Sequence, residues 1–180
     1  MIQLNTFVRF SEAFFDSVPE DDKEYVEIYG RIDNNRVFKA IERKYIKNHP
    51  NLEKYKVLVP GANGSGAIGE VLSTPLIGEP LIGYTQTFIS FGAFDDKNEA
   101  LAVLKYLKTK FCRVMLGTLK VTQNNKTKNV WYNVPLQDFT CSSDIDWSQS
   151  IENIDQQLYK KYNLSQDEID FIESKVRAMD

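Results

Sequence analysis

The chain has few of the residues that carry most enzyme chemistry. Its 180 residues include one histidine, His49, and two cysteines, Cys112 and Cys141. This set cannot supply the usual zinc sites, and because His49 precedes a proline in a predicted turn, no nucleophile–base pair is indicated. No apolar run approaches the ~20 residues of a membrane span, and the N-terminus lacks the pattern of a signal peptide. We therefore expect a cytoplasmic protein with reduced thiols and no membrane partner.

The net charge of −3 argues against nucleic-acid binding, but its distribution along the chain does not. Residues 31–130 hold sixteen basic and eight acidic side chains, whereas residues 1–30 hold two basic and seven acidic, and residues 131–180 four and ten. Clustered Lys and Arg side chains, rather than net charge, make phosphate contacts. The basic middle therefore indicates either a binding surface for an acidic partner or an ordinary solvated face.

Apolar spacing predicts an α+β protein with a mixed, mostly antiparallel sheet, packed helices and a helical C-terminus. Strands are predicted at 25–32, 55–59, 85–91 and 130–134, the last paired with 119–122, while 37–46 stays open between strand and helix. A helix over 96–115 begins at the N-cap Asp96 and is expected to pack through Leu104, Leu107 and Phe111. Two further helices are predicted at 151–162 and 166–179. We expect a domain over 1–150 with a helical appendage at 151–180, or one domain throughout.

A glycine-rich loop follows the strand at 55–59 and matches the GxGxxG spacing from Gly64 to Gly69. Dinucleotide binding requires a helix to begin at the last glycine. Here Pro75 comes too soon after Gly69 for that helix, and no ribose-binding acid can follow at the required distance. The loop is therefore interpreted as a source of backbone N–H groups for phosphate oxygens, or as a plain loop with no ligand.

Helical spacing places Lys105, Thr109 and Arg113 in one row on the face opposite the apolar one, with Lys110 beside it. A helix that packs by one face and is basic on the other suits a surface that follows a phosphate backbone. The alternative is a solvated lysine face. Side chains able to read base edges also lie in the middle of the chain: amides suited to adenine (Asn63, Gln86, Gln123, Asn124, Asn125) and arginines suited to guanine (Arg31, Arg36, Arg43, Arg113).

Several segments together carry a resemblance to a known family. They are RKYI at 43–46, YKV at 55–57, ANGSG at 62–66, GYTQTF at 83–88, the helix over 105–113, VPLQDF at 134–139, DIDW at 144–147 and IDQQLYKKYNLSQDEIDFIESKV at 154–176. From about Tyr25 to Met179 the chain resembles the C-terminal target-recognition region of bacterial adenine-specific DNA methyltransferases from type II restriction–modification systems, including fused endonuclease–methyltransferases. The catalytic tetrapeptide of those enzymes, Asn/Asp-Pro-Pro-aromatic, is absent from the printed sequence.

The resemblance implies a part that clamps double-stranded DNA and reads its sequence. A separate domain or subunit would bind S-adenosylmethionine and methylate a flipped adenine, so we expect no cofactor in this chain, which would be a fragment, an excised domain or a remnant gene product. We name as candidate DNA-binding residues those that combine the basic, amide and loop signals: Arg43, Lys44, Lys54, Lys56, Asn63, Ser65, Gln86, Lys105, Thr109, Lys110, Arg113, Gln123 and Asn124.

Two alternatives to DNA recognition remain open. The first is a Mg²⁺-dependent nuclease that would use Asp33, Glu42 and Lys44, although a pattern this loose is common in chains of this length. The second is a protein-interaction subunit whose basic middle meets an acidic partner. Asp144 and Asp146 are interpreted as surface acids beside a helix because no third metal ligand is near them in sequence.

Overall fold

Two small sheets and a group of helices make up the fold, which is of the predicted α+β class. The structure is a computed structural model that describes residues 6–62, 72–120 and 124–179. The helices are α1 (Thr6–Arg9), α2 (Lys97–Lys108), α3 (Lys110–Leu119), α4 (Ile151–Lys161) and α5 (Gln166–Lys175). The strands are β1 (Tyr25–Ile32), β2 (Asn35–Glu42), β3 (Tyr55–Pro60), β4 (Leu76–Gly78), β5 (Ile82–Tyr84) and β6 (Phe88–Phe94).

The first sheet has the order β2-β1-β5 and is built on a hairpin. β1 occupies the predicted range, and β2 pairs with it antiparallel from Tyr25 opposite Glu42 to Ile32 opposite Asn35. Asp33 and Asn34 form the turn with φ values of 47° and 65°, the left-handed conformations that a two-residue hairpin needs. The segment left open at 37–46 is therefore strand as far as Glu42, followed by a 3-10 turn over Arg43–Tyr45.

The second sheet has the order β4-β3-β6 and lies against the helices. Its central strand, β3, is the predicted strand at 55–59, and Val57, Leu58 and Val59 are fully buried. β4 is a short edge strand, as the nearby prolines require. The strand predicted at 85–91 begins later, at Phe88, because residues 85–88 turn between β5 and β6, with Phe88 N–H donating to Thr85 O at 3.0 Å. The predicted single sheet is therefore two sheets.

The helix predicted as continuous over 96–115 is broken at Thr109. Asp96 does cap its start, accepting from Asn98 N–H at 2.8 Å. At Thr109 the backbone becomes extended (φ −57°, ψ 148°), and the Thr109 hydroxyl accepts from Cys112 N–H at 3.1 Å as the N-cap of α3. The apolar pattern runs through the break without interruption, so the periodicity alone did not reveal it.

The strand predicted at 130–134 is also wrong. A 3-10 turn over Lys128–Trp131 takes its place, and α3 extends to Leu119, where the partner strand was expected to begin; residues 121–123 of that partner lie outside the described residues. Long-range contacts override the strand propensity here. The Trp131 ring packs on Phe91 at 4.6 Å between centroids, and its indole N–H donates to Asn125 O at 2.8 Å.

One large hydrophobic core joins elements from both ranges of the predicted domain division. It contains Val57 of β3, Leu107 of α2, Phe111 of α3, Leu158 of α4 and Ile172 of α5. The helices α4 and α5 occupy the predicted positions, and α5 begins with the predicted capping box of Ser165 and Glu168. The described helices include none that is long and apolar enough to cross a membrane.

Leu107→Ala tests whether the buried face of α2 is correctly identified. Leu107 is 3% exposed, so we expect the truncation to lower the free energy of unfolding by about 2–5 kcal/mol, measured by urea denaturation. Leu101→Ala on the same helix is the matched control, because Leu101 is 36% exposed and we expect it to cost much less. Equal costs for the two variants would contradict the packing.

Candidate nucleic-acid interface

Three chain segments meet where β3 ends. Gly61 N–H donates to Thr87 O at 2.7 Å, and Gly61 O accepts from Asn125 N–H at 2.9 Å. Ala62 and Asn124 form an isolated antiparallel bridge beside these bonds. We call residues 61–62, 85–87 and 124–126 the loop junction. It joins the end of β3, the turn before β6 and the segment after α3, so backbone hydrogen bonds fix the relative positions of distant parts of the sequence.

Asn125 anchors the loop junction from inside. Its side chain is buried and donates from Nδ2 to Pro60 O at 3.0 Å, while its backbone carbonyl accepts from the Trp131 indole. Thr85 is also buried, and its hydroxyl is hydrogen-bonded to that of Thr87. Lys126 lies across Gly61, where a side chain on the glycine would collide with the lysine methylenes. The junction thus presents its remaining side chains from a fixed backbone.

Three of the amides predicted to read bases belong to the junction, and one of them, Asn125, is buried. Gln86 is half-buried between the anchored Thr85 and Thr87, and Asn124 is exposed, with its Oδ1 accepting from Lys126 N–H at 2.8 Å. Asn63, Ser65 and Gln123 lie outside the described residues, as does the GxGxxG segment. Their described neighbours in the chain, Ala62 and Asn124, pair with each other.

A pair of arginines lies beside the junction at the end of the β1–β2 hairpin. Arg31 and Arg36 are directly opposite each other in the strand register. Arg36 Nη1 donates to Thr74 O at 2.9 Å, and the Arg31 guanidinium carbon lies 6.0 Å from the centroid of the Phe88 ring. The junction reaches this end of β1 through Thr85, whose N–H donates to Tyr29 O at 2.9 Å.

The row of Lys105, Thr109 and Arg113 does not form the solvent-facing stripe that the spacing predicted. Lys105 Nζ donates to the carbonyls of residues 147, 148 and 149 at 2.8, 3.0 and 2.8 Å. Thr109 is 0% exposed, and Arg113, 3% exposed, donates to Thr109 O and to Arg177 O. Lys110 pairs with Glu173. The C-terminal part of the chain covers this row, so these side chains hold helices together.

A buried carboxylate completes the contact between α3 and the C-terminal helices. Asp155 of α4 is 2% exposed. Its two oxygens accept from Lys110 N–H at 3.0 Å and from Phe111 N–H at 2.9 Å, at the first turn of α3. Burial raises the pKa of Asp155 to about 6, against the lowering effect of those two backbone donors.

Three of the other predicted basic residues form ion pairs near their own strands. Lys54 pairs with Asp95, and Lys44 pairs with Glu42 while its ammonium lies 4.9 Å from the centroid of the Tyr45 ring. Arg43 donates to Ile46 O at 2.8 Å and to Asn48, and it lies 3.7 Å from Glu53. Three of the cations that the sequence indicated for DNA contact therefore lie within 4 Å of an acidic side chain.

Lys56, the remaining basic residue of the predicted set, has a structural role. It is buried, and its Nζ donates to the carbonyls of Asn51, Lys54 and Glu79 at 3.1, 2.9 and 3.1 Å. Burial lowers its pKa to about 8. The stem of Lys56 lines a cavity of about 520 Å³ whose rim includes His49, and His49 Nδ1 accepts from Asn51 N–H at 3.2 Å.

The residues of the alternative nuclease pattern are not brought together. Asp33 is in the hairpin turn, whereas Glu42 ends β2 at the far end of the same hairpin, roughly 25 Å away at the rise of a strand. Glu42 pairs with Lys44 and Lys23. Asp144 pairs with Lys161, and Asp146 accepts from Ser148 and Gln149, so both behave as the surface acids that the sequence indicated.

The pairing of Arg31 with Arg36 is a feature of the candidate interface that the sequence-based predictions do not contain. Arg31 and Arg36 were considered only as separate guanine readers. The signal was present, because a two-residue turn at Asp33 and Asn34 places Ile32 opposite Asn35 and therefore Arg31 opposite Arg36. The sequence does not indicate that Lys126 belongs to the candidate interface, because its position across Gly61 depends on a contact between segments more than sixty residues apart.

Comparison of the chain with models of known protein families, with curated proteins and with solved structures found no match. Evidence on function therefore comes from the arrangement of charged and amide side chains around the loop junction. That arrangement combines a fixed backbone, two amide side chains and two adjacent cations.

Lys105→Met tests the structural role of the covered row. Removing the ammonium leaves three carbonyls of residues 147–149 without their donor, so we expect the free energy of unfolding to fall by about 1–3 kcal/mol, measured by urea denaturation. Lys97→Met is the control, since Lys97 is exposed and pairs only with Glu79 among described acids, a contact worth ~0–1 kcal/mol. A negligible loss of unfolding free energy in Lys105→Met would mean that Lys105 is a surface cation, as the sequence predicted.

The burial of Asp155 predicts a pH-dependent stability. The pKa of Asp155 is raised from 3.8 to about 6. The protonated carboxyl therefore contributes its full stabilisation to the folded state below about pH 4, and this stabilisation is lost as the pH rises through about 6. Between about pH 4.5 and 7.5 we expect the wild type to lose about 2 kcal/mol of unfolding free energy relative to Asp155→Asn, measured by urea denaturation at each pH.

Asn is the matched control for Asp155 because, like a protonated carboxyl, it offers one carbonyl acceptor and one donor group. A stability difference that moves in favour of the wild type as the pH rises would mean that the two amide donors of α3 outweigh burial. The pKa would then be lowered rather than raised.

Proposed function

We propose that this chain is the non-catalytic DNA-binding part of a restriction–modification system, a target-recognition domain of the kind found in adenine-specific DNA methyltransferases and fused endonuclease–methyltransferases. The observation that carries the proposal is the loop junction. It places Gln86 and Asn124 on one fixed backbone beside the arginines Arg31 and Arg36.

Base recognition in duplex DNA needs the two kinds of group that meet at the junction. Amide side chains pair with the N6 and N7 edge of adenine, and cations contact the phosphate backbone. Amides read a base only if the backbone that carries them is held in place, and here Asn125 and Thr85 hold it. The segments that carry the family resemblance at 62–66 and 83–88 lead into or form this same junction.

The chemistry of such a system belongs to a partner in this proposal. A methyltransferase or endonuclease domain or subunit in the bacterial cytoplasm would bind S-adenosylmethionine and act on the target base. The present chain would position the DNA for that partner. The residues proposed for DNA contact are Arg31, Arg36, Gln86, Asn124 and Lys126, together with Asn63, Ser65 and Gln123 from the sequence.

A second candidate function, a protein-interaction subunit, is favoured by one surface feature. Tyr132 is 85% exposed and Leu136 is 90% exposed, close together in the chain after the 3-10 turn at 128–131. Large apolar side chains presented this openly are typical of a contact with another protein. Such a contact is compatible with DNA recognition, since the proposal already requires a catalytic partner.

Fluorescence anisotropy with labelled duplexes tests DNA binding by the isolated chain. We expect pooled random duplexes to bind at low salt and to dissociate as salt rises, because phosphate contacts release counterions. No binding at about 50 μM protein, within the usual range of non-specific affinity, or binding that is indifferent to salt, would overturn the proposal. The protein-interaction function would then stand alone.

Gln86→Ala tests the reading of bases at the junction. On a sequence selected from a random pool we expect the variant to lose about 1–3 kcal/mol of binding free energy, while binding to unselected duplexes stays unchanged. Gln156→Ala on the exposed face of α4 is the matched control and should alter neither affinity. An equal loss on all sequences would assign Gln86 to the phosphate backbone or to folding.

A further inference from the structure

We infer that Arg31 and Arg36 together form a binding site for one phosphate group, in duplex DNA a backbone phosphate rather than a guanine edge. The inference deepens the proposed function, since it names what this part of the candidate interface holds. It rests on the position of the two side chains, on their lack of acidic partners among the described residues and on the contacts that hold them in place.

The strand register forces the two cations together. Arg31 of β1 and Arg36 of β2 are directly opposite. Facing residues of an antiparallel pair have β-carbons about 4.5–5.5 Å apart on the same face of the sheet, and like charges there destabilise the pair. The preceding pair on that face, Tyr29 and Phe38, is in ring contact at 4.7 Å between centroids. Repulsion between the two arginines is therefore expected to destabilise the end of the hairpin.

In the parts of the chain at 6–62, 72–120 and 124–179, neither arginine forms an ion pair. The Nε of Arg31 is buried without a hydrogen-bond acceptor. Guanidinium groups remain charged at any physiological pH. An external anion would therefore relieve both the mutual repulsion and the incomplete hydrogen bonding.

Both side chains are held before any anion arrives. The Arg31 guanidinium lies at 6.0 Å from the Phe88 ring, and Arg36 is fixed by the carbonyl of Thr74. The phenol of Tyr29 lies close enough that the charges of Arg36 and Arg31 act against the upward effect of burial on its pKa. These contacts reduce the side-chain entropy that would be lost on binding, which favours affinity.

Phosphate fits this pair better than a base does. A guanine edge is neutral and takes one bidentate arginine, which would leave the repulsion between Arg31 and Arg36 unchanged. A phosphate carries negative charge and several acceptor oxygens, so it can bind both guanidinium forks at once. The same chemistry serves a backbone phosphate or a free phosphate ion, and the two sources are separated by experiment.

The first measurement is thermal unfolding in sodium phosphate against sodium chloride of equal ionic strength. We expect phosphate to raise the melting temperature of the wild type, and we expect Arg31→Gln and Arg36→Gln each to weaken the apparent phosphate affinity by about tenfold. Arg177→Gln, which removes an exposed arginine beyond α5, is the matched control and should keep the full shift.

The second measurement is the salt dependence of binding to random duplexes. Each test variant is expected to lower the slope of log affinity against log salt by about 0.9, equally for all sequences, with no change in Arg177→Gln. A phosphate shift in melting temperature that is the same in wild type and both variants would overturn the inference, whatever the DNA result. A phosphate shift that depends on the arginines without any DNA binding would keep the site as one for free phosphate and refute the proposed function alone. A loss confined to one DNA sequence would assign the pair to base reading and also overturn the inference.

Discussion

The contact between the Asp155 carboxylate and the first turn of α3 is the interaction on which the arrangement of the helices depends. Thr109 ends the regular helix and caps α3 from its own chain, and Asp155 accepts from the next two backbone N–H groups. A helix begins with unpaired donors, and a buried carboxylate at that place satisfies two of them at once. Because Asp155 belongs to α4, this bond ties the C-terminal helices to the centre of the molecule.

The docking of those helices decides which basic residues stay available. Lys105, Lys110 and Arg113 bind carbonyls or carboxylates of residues beyond 146, so the cations that looked most suitable for phosphate contact serve the core. Lys44 and Lys54 are neutralised by nearby acids. Arg31 and Arg36 at the end of the β1–β2 hairpin differ, since they are opposite each other in the strand register and neither forms an ion pair among the described residues. Their position beside the loop junction gives the molecule one surface where amide and cationic groups coincide.

The hairpin and the loop junction depend on one another. β5 pairs with β1 in parallel, and the chain then turns through residues 85–87 to enter β6 of the second sheet. The turn contributes Thr87 O to Gly61 and Thr85 N–H to Tyr29, so it joins the two sheets at the place where Gln86 emerges. A loss of this turn would separate the amides from the arginines, which explains why a strand shifted from its predicted start is central to the candidate site.

The elements that could be predicted from the sequence are those whose signals are local. β1, β3, α4 and the capping box of α5 were predicted because alternation, helical spacing and capping act within a few residues. Gln86 and Asn124 are candidate site residues from the chemistry of their amides, with Gln86 also in a segment that carries the family resemblance, and the two-residue turn at Asp33 and Asn34 predicts that Arg31 lies opposite Arg36. Features that depend on interactions within a few residues could therefore be predicted from the sequence.

The remaining features could not be predicted in this way, because each depends on contacts between groups far apart in the chain. The break at Thr109 is stabilised by Asp155, the 3-10 turn at 128–131 by Phe91, and the burial of Arg113 by residues near 177. Helical periodicity assigned Lys105 and Arg113 to solvent, since it cannot show that a later helix covers the same face. The physical reason is that burial and hydrogen bonding between distant segments outweigh the propensities of the segments themselves.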